Sequence, residues 1–332
     1  MKLRFTLALL VFAPAIAAAQ PSFDCAKAST DVERAICGDA KLAAADRELA
    51  GVYGALLGKL PGPAKEHLTN DQQRWLGNRG RSCTAELAWC LGNRYRQRIA
   101  TLKAAGEGAY PFISEQALQQ SGKVRAITYE IDARYPQFDG SADFQDLNKY
   151  FAKTAREGAK DAVPAPDVYD PRAQTWTYDQ SFALYRPGPN AVAVEVTSYI
   201  FTGGAHGSTN VSATLVDLRR GSSVEPSDVF KEGAPWERTL VDLARADLKK
   251  QFVERPGFDD ALQPDKFDKM LKESDRYLFK ADALELIFNQ YEVGPYVAGI
   301  YRVTIPYTRL ANLLRPDGLV QLAPVGEGRG GR

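Results

Sequence analysis

The sequence predicts a multi-domain protein, in which a small disulfide-linked all-α bundle precedes an α+β domain with an antiparallel sheet. Three observations support this prediction. All four cysteines of the 332 residues lie between Cys25 and Cys90. Apolar residues recur at helical spacing in the first third of the chain, and β-branched and aromatic runs dominate the rest. The expected helical domain, linker, α+β domain and flexible tail occupy residues 20–104, 105–122, 123–316 and 317–332.

The first 19 residues have the three parts of an export signal. Lys2 and Arg4 give a positive start, residues 5–16 are apolar, and residues 17–19 are alanines that fit a cleavage site before Gln20. We therefore expect a periplasmic or secreted protein. No later apolar run is long enough to span a bilayer, so no membrane span is expected.

The cysteines are predicted to form disulfides. An even number of cysteines in an oxidising compartment is typical of disulfides, and histidine, a common zinc ligand, occurs only at His67 and His206. We therefore expect no metal site and no cofactor. Local pairing of Cys25 with Cys37 and of Cys83 with Cys90 is the simplest of three connectivities, and the other two stay open at this point.

The helical domain is expected to be a small helical bundle. Thr30 to Glu33 fit a capping box, in which both side chains bond the first free amides of a helix. An amphipathic helix follows, and Pro61-Gly62-Pro63 should end it. The remaining apolar residues at helical spacing predict two more helices, and they include Trp75, Leu76, Leu91, Tyr95, Ile99 and Leu102.

The second domain is expected to be α+β because its strand-like runs are grouped around helical stretches. Arg186 to Asn190 is rich in proline and glycine and predicts a hairpin turn. The predicted strands are 124–131, 176–185, 191–201, 211–218, 284–292 and 299–305. The predicted helices cover about 143–159, 236–252, 265–279 and 307–314.

The charged residues are unevenly distributed. Residues 20–106 carry 13 basic and 9 acidic residues, whereas residues 107–332 carry 27 basic and 32 acidic ones. The basic first part would suit an anionic cell-wall polymer, and the acidic remainder would attract a cationic protein. The near-neutral total gives no sign of a nucleic-acid partner, so none is expected.

A distinctive pattern of residues runs through about 21–104. Its most specific parts are the two cysteine pairs and the Gln73-Arg74-Trp75-Leu76 segment between them. The other members are Ser22, Phe23, Asp24, Val32, Glu33, Ile36, Leu42, Asp46, Tyr53, Arg79, Leu91, Tyr95, Arg98, Ile99 and Leu102. This pattern resembles the N-terminal domain of the lysozyme-inhibitor LprI family. The resemblance implies an export-associated helical domain, with lysozyme inhibition attributed to some members.

A second pattern covers about 124–316. Its most specific parts are the T-G-G-A-H segment at 202–206 and the Y-x-x-G-P-Y-x-x-G segment at 291–299. It resembles the extracytoplasmic domain shared by RsiV-type anti-sigma factors, where it is a lysozyme receptor, and by the non-catalytic part of a peptidoglycan deacetylase. Glycines permit a partner's backbone to approach closely, and exposed aromatics suit an interface. The expected partner-binding residues are Tyr199, Thr202, Gly203, Gly204, His206 and Tyr296.

Both resemblances lead to the same predicted partner. We expect an exported cell-envelope protein that binds lysozyme-type muramidases and inhibits them by steric blockage. The chain has no G-x-S-x-G nucleophile elbow and no histidine-rich metal cluster, so no catalytic residue is expected. The alternatives are a peptidoglycan-binding accessory module or a protein associated with an envelope hydrolase or deacetylase, and a structural envelope protein without lysozyme contact.

Overall fold

The structure is a computed structural model that describes residues 20–81, 83, 86–106, 112–139, 143–170 and 172–321. The chain divides into two compact units. Unit 1 holds the described residues of Met1–Lys59 and Gln72–Lys103, and unit 2 holds those of Leu60–Asp71 and Ala104–Arg332. The predicted signal lies outside the described residues. No helix in the described ranges combines the length and apolar character needed to cross a membrane.

The N-terminal region is helical, as expected. Its helices are α1 (Asp31–Gly38), α2 (Ala40–Lys59), α3 (Gly62–Asn78) and α4 (Leu87–Gly106). The predicted capping box begins α1: the Thr30 hydroxyl accepts from the Glu33 amide, and the Glu33 carboxylate accepts from the Thr30 amide. Backbone hydrogen bonds from Thr30 and Ser29 lower the pKa of Glu33 to about 2.

Unit 1 is held together by one aromatic and polar cluster and by the disulfides. The buried Tyr95 packs edge-on against Trp75, with 5.0 Å between ring centroids, and its hydroxyl donates to Asp46 at 2.7 Å. Ser22 donates to the other oxygen of Asp46, which ties the start of the domain to α2. The disulfides are Cys25–Cys37 and Cys83–Cys90, which confirms the local pairing.

From Phe112 onward, the described residues of unit 2 form two sheets and three α-helices. The six-stranded sheet has the order β1-β2-β3-β4-β5-β6, and the three-stranded sheet has the order β7-β8-β9. The strands are β1 (Phe112–Val124), β2 (Ile127–Asp139), β3 (Trp176–Gly188), β4 (Ala191–Phe201), β5 (Ser208–Asp217), β6 (Ser222–Val224), β7 (Tyr277–Phe279), β8 (Ala283–Phe288) and β9 (Tyr301–Pro306). The helices are α5 (Gln145–Lys160), α6 (Trp236–Glu254) and α7 (Pro264–Met270).

The α+β class is confirmed, but the large sheet is mixed rather than fully antiparallel. Strands β2 and β3 run parallel, with Ile131 opposite Tyr178, whereas the other neighbouring pairs are antiparallel. A parallel pair requires a crossover connection. Helix α5 supplies it, and its buried residues Leu147, Phe151 and Ala155 show which side faces the core.

Several predicted boundaries are corrected. Residues 112–122 were expected in the linker but form most of β1, because an edge strand tolerates polar side chains. The helix expected over 265–279 ends at Met270, and the buried Tyr277–Phe279 form β7. The helix expected over 307–314 is only a 3₁₀ turn at Tyr307–Arg309. The predicted tail begins too early, since Leu319 and Val320 are buried; residues 322–332 lie outside the described ranges.

A buried ionic network joins the two sheets of unit 2. The Arg302 guanidinium donates to Glu195 at 2.6 Å and to Glu285 at 2.5 Å. The Tyr185 hydroxyl donates to Glu195, and the Lys280 ammonium donates to Glu285 at 2.8 Å. Both carboxylates are at least nine-tenths buried and therefore depend on these partners for compensation of their charge.

Candidate functional site: an aromatic surface on unit 2

The β4–β5 connection at residues 202–207 has a backbone that only glycine adopts without strain at two positions. Gly203 has φ 87° and Gly204 has φ 104°. A Cβ on Gly203 would lie 3.2 Å from Asp170 Oδ2 and 3.3 Å from Trp176 Nε1, whereas a Cβ on Gly204 would meet no atom within 4 Å. Gly203 is therefore turned toward the protein, and Gly204 is open to an approaching partner.

The side chain of Gln174 holds this connection in place. Its Oε1 accepts from the Gly204 amide at 3.1 Å, and its Nε2 donates to the Gly204 carbonyl at 3.4 Å. Asp170 accepts from the Gln174 amide and so positions that residue. The connection is thus shaped by residues about 30 positions earlier in the chain.

His206 brings the two predicted segments together. Its ring stacks on Tyr296, with 3.8 Å between ring centroids and an interplanar angle of 20°. The ring of Tyr291 lies 6.0 Å from that of Tyr296. His206 Nδ1 donates to the Gly207 carbonyl at 2.9 Å, so this nitrogen carries the proton. A side chain on Gly207 would clash with the ring of Tyr199, which covers that glycine.

We define the aromatic surface as Tyr199, His206, Tyr291, Tyr296 and Val297. Tyr291 is 54% exposed and Val297 is 84% exposed, and Tyr199 and His206 are also exposed. Tyr291 has φ 68°, which is uncommon for a residue with a side chain and is often found at functional sites. A group of largely exposed aromatic and aliphatic side chains on loops that hydrogen bonds hold in place is suited to contact with a partner.

Hydrogen bonds from residues 289–292 hold the β8–β9 loop, at residues 289–300, beside the β4–β5 connection. Asn289 Oδ1 accepts from the Val211 amide at 2.8 Å, and its Nδ2 donates to the Val211 carbonyl at 3.0 Å. Gln290 Oε1 accepts from the Thr209 amide at 2.8 Å. Glu292 in turn accepts from the Asn289 amide and pairs with the buried Arg276. The loop is therefore fastened to the first residues of β5.

The predicted site residues have different positions in the structure. His206 and Tyr296 are in direct contact, Tyr199 lies beside them over Gly207, Gly204 is open, and Thr202 is exposed at the start of the connection. Gly203 instead faces Trp176 and Asp170 inside the protein. Tyr291 and Val297 belong to the same surface, and the Y-x-x-G-P-Y-x-x-G segment could have indicated them. Gln174 and Asn289 act through long-range contacts that no local pattern reveals.

A separate charged pocket lies at the other end of β5. It has a volume of about 430 Å³, and three arginines and three aspartates line most of it: Asp217, Arg219, Arg220, Asp228, Arg315 and Asp317. Burial alone would raise the pKa of Asp217, but hydrogen bonds and charge from Arg219 and Arg220 hold it below its usual range. Within the described ranges, including this pocket, no group of three or more histidine, cysteine, aspartate or glutamate side chains gathers as a metal site would require.

Three family models match successive parts of the chain. Residues 24–102 match the lysozyme inhibitor LprI model, residues 123–209 match the deacetylase PdaC model, and residues 227–308 match DUF3298, a family of unknown function. The aromatic surface combines two of these matches. Tyr199 and His206 lie in the PdaC match, and Tyr291, Tyr296 and Val297 lie in the DUF3298 match.

One curated relative is the peptidoglycan-N-acetylmuramic acid deacetylase PdaC of Bacillus subtilis (strain 168). It is 24% identical over 213 residues, which are 64% of this chain and 44% of the deacetylase. The chain thus corresponds to less than half of that relative.

Two crystal structures of DUF3298 proteins are also similar. The Pseudomonas aeruginosa PAO1 protein has 19% identity and a TM-score of 0.45 over 63% of this chain and 96% of its own.

The second crystal structure is of a Bacteroides fragilis protein, with 16% identity and a TM-score of 0.42 over 63% of this chain and 94% of its own. The similarity to RsiV-type receptors stays a prediction, whereas the deacetylase part of that resemblance agrees with the PdaC match. The chain therefore carries a lysozyme-inhibitor LprI domain at residues 24–102, followed by a PdaC-type region at 123–209 and a DUF3298 region at 227–308.

Proposed function

We propose that the protein works in the cell envelope, where it binds lysozyme-type muramidases and inhibits them by steric blockage. The observation that carries this proposal is the LprI match over residues 24–102. The two disulfides in the same region agree with an oxidising compartment outside the cytoplasm. The expected periplasmic or secreted location is part of the proposal.

The proposed contact with the muramidase is the aromatic surface of unit 2, together with Thr202 and Gly204, and Gly203 shapes the connection that presents them. Gly204 leaves room for a partner, and the exposed Tyr291 and Val297 would lose contact with water on binding. Residues 107–332 have more acidic than basic residues, which speeds encounter with a cationic enzyme. Because hydrogen bonds already hold both loops, little ordering opposes binding.

The protein is proposed to have no hydrolytic or deacetylating turnover of its own. The hydrogen bond that His206 makes in the described structure is to a backbone carbonyl rather than to a serine nucleophile. His206→Ala should therefore change binding without abolishing any turnover. Release of acetate or of reducing ends from peptidoglycan by the purified protein, lost in this variant, would contradict the proposal.

A peptidoglycan-associated accessory role is the second candidate function. The PdaC match and the 24% identical deacetylase favour it, because that relative is named for a modified peptidoglycan sugar. The two candidates differ in the partner expected at the aromatic surface, which is an enzyme in the first and a glycan in the second.

Calorimetric titration of the mature full-length protein separates the candidates. The titrants are lysozymes of several classes and soluble peptidoglycan fragments, and a cell-wall lysis assay measures inhibition in parallel. We expect saturable binding of at least one lysozyme class, with inhibition at the same stoichiometry. Glycan binding that requires Tyr296, without binding to any lysozyme, would support the accessory role instead.

A further inference from the structure

One tryptophan of unit 1 is largely exposed. Trp89 is 69% exposed, whereas Trp75 and Trp176 are 7% and 9% exposed, and Trp236 is half-buried against the unit 2 core. A tryptophan is usually well buried because its large ring gains most from leaving water. The exposure of Trp89 therefore identifies a place where a partner would cover an apolar face.

Trp89 belongs to a short polar and aromatic stripe on α4. Asn93 and Arg96 follow it at i+4 and i+7, which places the three side chains on one face of the helix. Arg96 donates to Asn93, so the two polar heads are held together, and Arg96 is exposed. We call Trp89, Asn93 and Arg96 the Trp89 stripe.

The position of the stripe is fixed by covalent and helical structure. Trp89 immediately precedes Cys90, whose disulfide to Cys83 ties the beginning of α4 to the preceding segment. The Cys90 amide also bonds the Glu86 carbonyl at 2.9 Å. A backbone fixed in this way loses little freedom on binding, so more of the contact energy contributes to affinity.

We propose that the Trp89 stripe binds the peptide-bearing glycan strand of peptidoglycan, whose free carboxylates lie on the stem peptides. The ring of Trp89 offers a flat apolar face to the C–H side of a sugar ring, and Asn93 suits hydroxyl and amide groups. Arg96 suits a carboxylate, with which a guanidinium forms paired hydrogen bonds. The excess of basic residues in 20–106 favours an anionic polymer.

This inference rests on the proposed envelope location but not on the proposed lysozyme contact. The stripe is in unit 1, and the aromatic surface is in unit 2. The protein would then attach to the wall through one surface while it meets the muramidase with another. Variants of the two surfaces can therefore be tested for both partners in the same chain.

The first test measures sedimentation of the mature full-length protein with purified peptidoglycan. Trp89→Ala should weaken binding at least about tenfold, the size expected for loss of a tryptophan anchor. Arg96→Gln should weaken it about threefold and reduce its salt dependence, because an exposed ion pair contributes less and is screened. The matched control is Tyr169→Ala, which removes another exposed aromatic and should bind as the unaltered protein does.

The second test uses the fluorescence of Trp89, which is the most exposed of the four tryptophans. Soluble peptidoglycan fragments should shift the emission to shorter wavelength and protect it from acrylamide, and both effects should be absent in Trp89→Ala. A neutral chitin oligosaccharide should bind more weakly, since it offers no carboxylate to Arg96.

Three results would overturn the inference. In the first, Trp89→Ala sediments with peptidoglycan undiminished. In the second, binding follows phosphate-bearing teichoic acid and disappears when that polymer is removed. In the third, Trp89→Ala loses lysozyme inhibition but keeps glycan binding, which would make the stripe an enzyme contact. Gly204→Arg is the complementary variant: its failure to reduce inhibition would count against the lysozyme contact proposed on unit 2 and leave the stripe unaffected.

Discussion

Gly204→Arg tests the proposed lysozyme contact most directly. The new side chain has space, because no atom lies within 4 Å of the Cβ position, and it points away from the protein. It also adds positive charge where a cationic enzyme is expected to approach. Affinity should therefore fall at least about tenfold, which corresponds to about 1.4 kcal/mol.

The backbone strain at this position lowers the free energy of unfolding, and this effect must be measured separately from the effect on binding. Gly204 has φ 104°, and a side chain in this region destabilises the fold by about 1 to 2 kcal/mol. Gly204→Ala carries the same backbone strain without the charge and without most of the volume. The alanine and arginine variants should therefore unfold at similar denaturant concentrations, and the arginine variant alone should bind poorly.

Denaturant unfolding and calorimetric titration with an inhibited lysozyme provide the two measurements. Gly203→Ala serves as the contrasting variant, because its Cβ would crowd Asp170 and Trp176 and should destabilise the connection. If Gly204→Arg folds as stably as Gly204→Ala and still inhibits fully, the connection is only a turn, and the assignment of the contact is refuted.

Other changes test the aromatic surface, the buried network and the disulfides. Tyr296→Ala removes the ring stacked on His206 and should weaken lysozyme binding by about 2 kcal/mol, measured by titration. Arg302→Met leaves Glu195 and Glu285 buried without their shared cation and should lower the free energy of unfolding by about 3 to 5 kcal/mol. Burial alone would raise the pKa of Glu285, but hydrogen bonds from its two basic neighbours hold it below the ordinary value. Its stabilising contribution is thus present above that ordinary value and lost as pH falls through the folded-state pKa, and Glu285→Gln should flatten this acid dependence of unfolding. Reduction of both disulfides should destabilise the helical domain by about 2 to 3 kcal/mol for each bond, and peptide mapping of unreduced protein should recover the two local pairs.

A helix or strand can be predicted from the sequence when adjacent residues form a pattern long enough to distinguish it. Strand β4 was predicted with its observed bounds, 191–201, because a buried central strand gives a long β-branched run. The three residues of β7 were assigned to a helix, because so short a segment shows no alternation that could outweigh the neighbouring helical pattern. Residues 112–122 of β1 are predicted as linker because their polar, glutamine-rich composition resembles that of a loop.

In the site, too, features that depend on adjacent residues can be predicted from the sequence, whereas features that depend on distant residues cannot. Glycine and aromatic motifs indicate both loops, because the backbone conformation of each loop depends on a few adjacent residues. The stacking of His206 on Tyr296 was not predictable, because it depends on Asn289 bonding β5 across 78 positions of the chain. The sequence therefore indicates the residues of this surface but not their arrangement.

The parallel pairing of β2 and β3 has a consequence for the order of folding. The hairpins β1–β2 and β3–β4–β5 join neighbouring segments through short connections and can close within local stretches of chain. Strands β2 and β3 are separated by the whole segment that contains α5, so their pairing must close a much longer loop. We therefore expect the two halves of the large sheet to form early and to join late, with the β2–β3 seam as the slow step in the assembly of unit 2.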